Sequence, residues 1–225
     1  MAKLVRFPSF VIIAVLMLSG MAIASESCGR PTLADSLAPQ VVLADPPKPL
    51  PDPTLEAVEL ELGSRLIGVA PGEAHSVAVV LVEEARKAGF DPWYIIAIIE
   101  VESAYDVDAC SPAGARGLMQ LMPTTFREVS KHYRAADPVE NVRAGIAYLS
   151  KLYAAGFTYP NTVLLAYNGG PANALAYLKA TWARRDTSGY PREMREYPNL
   201  VLQRYKRLRH AVGDEKPVVA KSWRL

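Results

Sequence analysis

Strand-type alternation of apolar and polar residues is almost missing from this 225-residue chain. No such run is long enough to build a sheet, which points to an all-α domain. Histidine is scarce: His75, His132 and His210 lie far apart without metal-ligand spacing. There is no glycine-rich phosphate loop and no serine-hydrolase elbow, and neither a cofactor nor a metal is expected. Only two cysteines are present, Cys28 and Cys110, which permit at most one disulfide. No apolar run reaches the roughly 20 residues that a bilayer span requires. An excess of one charge sign is missing too. The chain has 25 Lys and Arg against 23 Asp and Glu, and the surplus of two is Lys3 and Arg6 at its start. Nothing global therefore points to a nucleic-acid partner.

What is present is enough apolar surface for a core. Half of the residues are hydrophobic and 21% are charged, which excludes disorder of the whole chain. Residues 1–24 read as a secretory leader. Lys3 and Arg6 form its positive start, residues 7–18 its apolar stretch, and Ala22-Ile23-Ala24 a small-x-small cleavage site. Export to the periplasm or cell envelope is expected, with membrane contact only through the leader before cleavage. In an exported chain Cys28 and Cys110 could then be joined. Residues 25–54 follow as a linker, with seven prolines removing backbone donors and favouring extended conformations. A folded domain is expected over residues 55–210 and a tail over 211–225. From Arg184 to Leu225 there are eleven Lys or Arg against five Asp or Glu, so that end suits an anionic surface such as a cell-wall polymer.

Within the domain the signals are helical. Leu55, Val58, Leu62 and Leu66 recur at helical spacing, and a second helix runs over residues 73–88 to a stop at Gly89. Asp91-Pro92 and Asp137-Pro138 are N-cap and first-turn pairs that open helices, and Pro123 opens another through residue 133. The helix from Asp137-Pro138 extends to Ala155 with Gly156 as its stop. Shorter helices are expected over 159–167 and 171–182, and a last one over 197–210. The fold class is all-α, packed round the helix that begins at Asp91. That helix is apolar on every side, as a buried helix is.

The residues 97–125 carry the strongest chemical signal. Glu100 and Glu102 sit near the end of the apolar helix, and an ionisable group in such a setting is costly to keep. Two positions apart on a helix lies roughly 200° of rotation, so only one of the two faces a given cleft. Periodicity does not choose between them. Either carboxyl, raised by apolar neighbours and the negative end of the helix dipole, would suit a general acid.

Three motifs in order then follow: Glu102-Ser103-Ala104-Tyr105, Gly114-Ala115-Arg116-Gly117-Leu118-Met119-Gln120-Leu121-Met122-Pro123, and Ala166-Tyr167-Asn168-Gly169-Gly170. Together they resemble the soluble lytic transglycosylase family over roughly residues 75–205. The resemblance implies a goose-type lysozyme-like helical domain that cleaves peptidoglycan glycan strands, and it selects Glu102, directly before serine, as the catalytic residue. It implies substrate-binding roles for Ser103, Met119, Gln120, Tyr167, Asn168 and Tyr197. A fourth family element matches Glu193 and Tyr197, with departures: Met194 stands where threonine is common, and Pro198 where a β-branched residue is usual. No second carboxylate stands at motif spacing, and Asp106 and Asp108 read as turn residues. That suits a substrate-assisted route rather than a two-carboxylate one. The implied reaction cleaves the bond between N-acetylmuramic acid and N-acetylglucosamine and leaves a 1,6-anhydro end on the muramic acid. A lysozyme-like hydrolase, and a wall-binding component of a secretion, conjugation or pilus machine, are the alternatives.

Overall fold

The computed structural model describes residues 55–70, 72–131 and 137–213. The leader, the proline-rich segment, Cys28, His132 and the tail beyond residue 213 lie outside them. The described chain is all-α: α1 Leu55–Arg65, α2 Glu73–Ala88, α3 Pro92–Ser103, α4 Pro123–Val129, α5 Pro138–Ala154, α6 Pro160–Gly169, α7 Pro171–Trp182 and α8 Arg192–Ala211. Only isolated bridges stand in for sheet, among them Ile67 with Asp106 and Arg116 with Leu121.

Local chemistry sets most of the boundaries. The Asp91 Oδ1 accepts the Trp93 N–H at 2.9 Å, and the Asp137 Oδ1 accepts those of Val139 and Glu140 at 3.0 and 3.1 Å. Each aspartate satisfies donors that the first helical turn leaves open, while the proline behind it presets the helical φ. At the other end of α2, Gly89 takes φ 74° and its N–H closes on Ala85 and Arg86 carbonyls.

The centre is α3. Every residue from Pro92 to Ile99 is buried, and Ile95, Ile96, Ile98 and Ile99 have no exposed surface. Each such isoleucine contributes roughly 1.5–3 kcal/mol by leaving water. α8 packs along α3, α2 joins α1 to α5, and α6 bridges α7 and α8. An aspartate at Ile98 would put an unpaired charge at the middle of this arrangement. Among the described residues no helix is long and apolar enough to cross a membrane.

Two boundaries differ from the sequence expectation. α4 stops at Val129, where Ser130 is extended, rather than continuing through residue 133. α8 begins at Arg192 and carries Pro198 inside it, earlier than the start expected at residue 197. Packing overrides the proline. Met194, Tyr197, Val201, Tyr205 and Leu208 are all buried at helical spacing, so one continuous apolar stripe crosses Pro198. The missing N–H costs less than abandoning that stripe.

Candidate active site

The two glutamates of α3 end in different surroundings because α8 treats them differently. Glu100 points to the flank where Arg207 and Arg204 lie. Its Oε1 takes the Arg207 Nη2 at 2.6 Å and the Arg204 Nε at 3.4 Å. Its other oxygen receives the Tyr105 hydroxyl at 3.4 Å. Three donors thus match its charge, and Glu100 is committed to holding α8 and the following loop against α3.

Among the described residues no cation meets Glu102. It is half-buried, and its Oε1 accepts the Tyr197 hydroxyl of α8 at 2.5 Å. Burial raises its carboxyl from 4.5 to about 7, and the Tyr197 hydrogen bond pulls part of the way back. Burial and the neighbouring Glu102 charge hold the Tyr197 phenol well above its ordinary value, so Tyr197 is the donor in this pair. With Oε1 occupied, Oε2 is the oxygen left to carry an acidic proton. A carboxyl poised near neutrality exchanges a proton in both directions, which is what a combined general acid and base needs.

Beyond α3 the chain turns sharply: Ala104 and Tyr105 both take positive φ, 50° and 68°. Non-glycine residues hold that conformation at a cost, and the surroundings fix them there. The Ile67 N–H donates to the Tyr105 carbonyl at 3.0 Å and the Val107 N–H to the Ile67 carbonyl at 3.2 Å, tying the turn to the segment after α1. Asp106 accepts the Asp108 N–H at 2.9 Å within the loop, as a turn residue does.

The loop from Ala109 to Leu121 closes on itself and on α5. Arg116 and Leu121 exchange backbone hydrogen bonds at 3.0 and 3.1 Å. The Gln120 Nε2 donates to the carbonyls of Ala109 and Gly117, both at 2.9 Å, so its amide nitrogen is spent on the loop and its Oε1 remains. From α5, the fully buried Asn141 accepts the Met119 N–H at 2.8 Å and donates to the Arg116 carbonyl at 2.9 Å. Gly117 is needed here, since a Cβ on it would come within 2.5 Å of the Asn141 amide. From α6, the Tyr167 hydroxyl donates to the Met119 carbonyl at 2.7 Å.

The sequence-predicted residues therefore divide. Tyr197 meets Glu102 directly, and burial together with the nearby Glu102 charge raises the Tyr167 phenol, although its hydroxyl is committed to the loop. Asn168 is half-buried on the last turn of α6. The hydroxyl of Ser103, 3% exposed, donates to the Ile99 carbonyl at 3.1 Å, the preceding helical turn. Met119 is fully buried with its sulfur over Gly145 of α5, so its side chain enters the core instead of lining an open pocket. The reason is that Asn141 and Tyr167 grip its backbone from both sides. Met194 fills the space over Gly169, where a Cβ would meet the sulfur at 2.4 Å. This accounts for a long side chain at that position: it seats α8 on the Asn168-Gly169-Gly170 turn. Glu193 is exposed.

Sequence reasoning missed Asn141. The available signal was an amide in the interior of α5 sharing a face with Ala144 and Gly145, both buried. Glu100's partners carried no local signal, since Arg204 and Arg207 lie more than 100 positions away.

Comparison with known proteins agrees with this fold. Residues 80–188 match the model of the transglycosylase SLT domain. The chain is 34% identical over 119 residues to a membrane-bound lytic murein transglycosylase C of Klebsiella pneumoniae, covering 45% of this chain and 33% of the relative. It is 29% identical over 143 residues to the soluble lytic murein transglycosylase of Salmonella typhimurium, covering 57% and 22%. The crystal structure of the soluble lytic transglycosylase of Escherichia coli superposes with a TM-score of 0.54 at 28% identity, over 61% of this chain and 24% of that one. The chain spans a third or less of the length of these proteins.

Proposed function

We propose that this chain, which carries a transglycosylase SLT domain over residues 80–188, is a lytic transglycosylase of peptidoglycan. The observation that carries the reading is Glu102: a carboxyl held near neutrality by burial, without a cation, and oriented by a tyrosine that leaves one oxygen free. Glu102 donates its proton to the glycosidic oxygen between N-acetylmuramic acid and N-acetylglucosamine. The acetamido oxygen of the muramoyl sugar attacks the anomeric carbon as the bond breaks, which removes the need for a second carboxylate. Glu102, now ionised and stabilised by the Tyr197 hydroxyl, takes the proton of the 6-hydroxyl. The 6-oxygen then displaces the acetamido oxygen and leaves a 1,6-anhydro end, with no water consumed.

In this reading Gln120 offers its Oε1 to the acetamido N–H, and the Asn168 amide completes that subsite. Tyr167 and Ser103 act through the loop and the helix end that they hold, and Met119 supports the loop from beneath. The leader-like pattern of residues 1–24 supports export to the wall compartment, where local opening of the wall for an envelope machine is one use. Digests of purified sacculi test the reading by mass. Products one water lighter than reducing muropeptides are expected, and reducing ends alone would turn it into a hydrolase.

A further inference from the structure

α7 is the least embedded helix of the described chain. It packs on α6, and Ala174 is its only buried residue, with the Tyr177 ring edge-on to Tyr190 at 5.3 Å. Its outer stripe carries Leu175, 48% exposed, and one heptad later Trp182, 87% exposed. A seven-residue interval returns to nearly the same side of a helix, so the two form one apolar ridge. Lys179 lies beside that ridge, and Arg184 and Arg185 follow directly on it. All three are exposed, and none is paired with a carboxylate among the described residues. From Pro171 to Arg185 there is no acidic residue. The first, Asp186, is turned to the Ser188 N–H and hydroxyl, both at 2.8 Å.

The end of α7 shows a second oddity. The Arg184 N–H donates to the Thr181 carbonyl at 3.0 Å and the Arg185 N–H to the Ala180 carbonyl at 2.9 Å, a Schellman closure. The left-handed position of that closure normally takes glycine. Here it holds Arg184 at φ 52°. The chain keeps a strained arginine where glycine would be relaxed, and no side-chain partner among the described residues accounts for it.

We propose that the α7 face is a docking surface for an anionic phospholipid membrane, with Trp182 and Leu175 entering the interface and Lys179, Arg184 and Arg185 meeting lipid phosphates. Charge complementarity favours this occupant: an apolar ridge with an interfacial tryptophan, flanked by cations alone, suits a lipid headgroup layer. A wall glycan fits less well, because recognition of sugar hydroxyls calls for acceptors beside the aromatic, and this face has no Asp, Glu or Gln. The inference departs from the expectation that only the leader touches a membrane. It is independent of the catalytic reading, although α7 starts at Pro171, three positions after Asn168, and the roughly 18 Å of its length separate the docking end from the candidate site.

Trp182 fluorescence in the full chain, isolated as the difference between wild type and Trp182→Phe, tests the proposal. Vesicles of phosphatidylglycerol should shift the Trp182 emission to the blue and protect it from an aqueous quencher several-fold. Phosphatidylcholine vesicles should not, and an Arg184→Glu/Arg185→Glu variant with unchanged circular dichroism should lose the effect. The proposal is overturned if Trp182 stays solvent-like on phosphatidylglycerol, if both lipids shift it equally, if the charge-reversed variant responds like wild type, or if only sacculi shift it, which would make the face a wall-polymer platform.

Discussion

Glu100 and Glu102 are the same residue type, one turn or less from the same helix end, and α8 gives them opposite fates. Around Glu100 two arginines and a phenol supply charge and hydrogen bonds, so the carboxylate works as a fastener. Around Glu102 a single neutral phenol touches one oxygen and burial does the rest, so the carboxyl keeps its proton up to about neutral pH. Among the described residues, what separates the two carboxyls is the cation that Glu100 meets and Glu102 does not. Helix position and apolar neighbours are shared.

The sharpest way to break that contrast is to neutralise each glutamate in turn. Glu102→Gln should lower the rate of glycan cleavage by about 10²–10⁴-fold, the range for a lost general acid. Glu100→Gln should leave the rate within a few-fold, measured by release of soluble muropeptides. Equal losses would collapse the distinction.

The same pair should separate in stability against pH. The Glu102 carboxyl is raised when folded, so the native state binds the proton more tightly than the unfolded one does. Its contribution is complete below about pH 4.5 and is lost as pH rises through about 7. At about 1.36 kcal/mol per unit, the penalty above pH 7 has an upper bound of about 3 kcal/mol, reduced by the partial exposure of the group. Glu102→Gln should therefore melt above wild type at pH 8 and near it at pH 4, whereas Glu100→Gln should show no such gain. Calorimetry at the two pH values decides it.

Tyr197→Phe is a finer probe. It removes the one bond that favours the ionised carboxylate, so the alkaline fall in rate should move to higher pH while the maximal rate drops about tenfold. A pH–rate profile unchanged in position would mean that Tyr197 does not set the acidity. Smallest of all, Arg207→Ala should cost about 1 kcal/mol of stability by loosening a half-exposed ion pair, with cleavage nearly unchanged. Denaturant midpoints and activity on the same preparation separate the two effects.

How much of this the sequence disclosed depends on the distance over which each feature is decided. The starts of α3 and α5 were legible because Asp91-Pro92 and Asp137-Pro138 carry their caps within three residues. The start of α8 was not, since Pro198 gives a strong local signal that only burial of Met194 and Tyr197 against distant elements outweighs. Resemblance selected Glu102, but no local pattern could, because Arg204, Arg207 and Tyr197 arrive from about 100 residues downstream. Gln120 was legible as a motif residue and opaque in its bonding, since its two acceptors belong to a loop whose closure cannot be read from composition.

α8 is fastened to both ends of α3. Tyr197 reaches Glu102, while the Tyr205 hydroxyl and the Arg209 guanidinium reach the Asp91 Oδ2 at 2.6 and 3.0 Å. The two helices thus run antiparallel in a register fixed at either end. The segment that the family model matches stops at residue 188, four positions before α8 begins. A module transplanted on that boundary would keep Glu102, the loop and Asn168. It would lose the phenol that orients the acid and uncover the flank of α3 that Val201 and Leu208 seal. The smallest transferable unit must therefore extend through residue 211, so recombination of this domain between proteins is constrained by a helix that lies beyond its apparent edge.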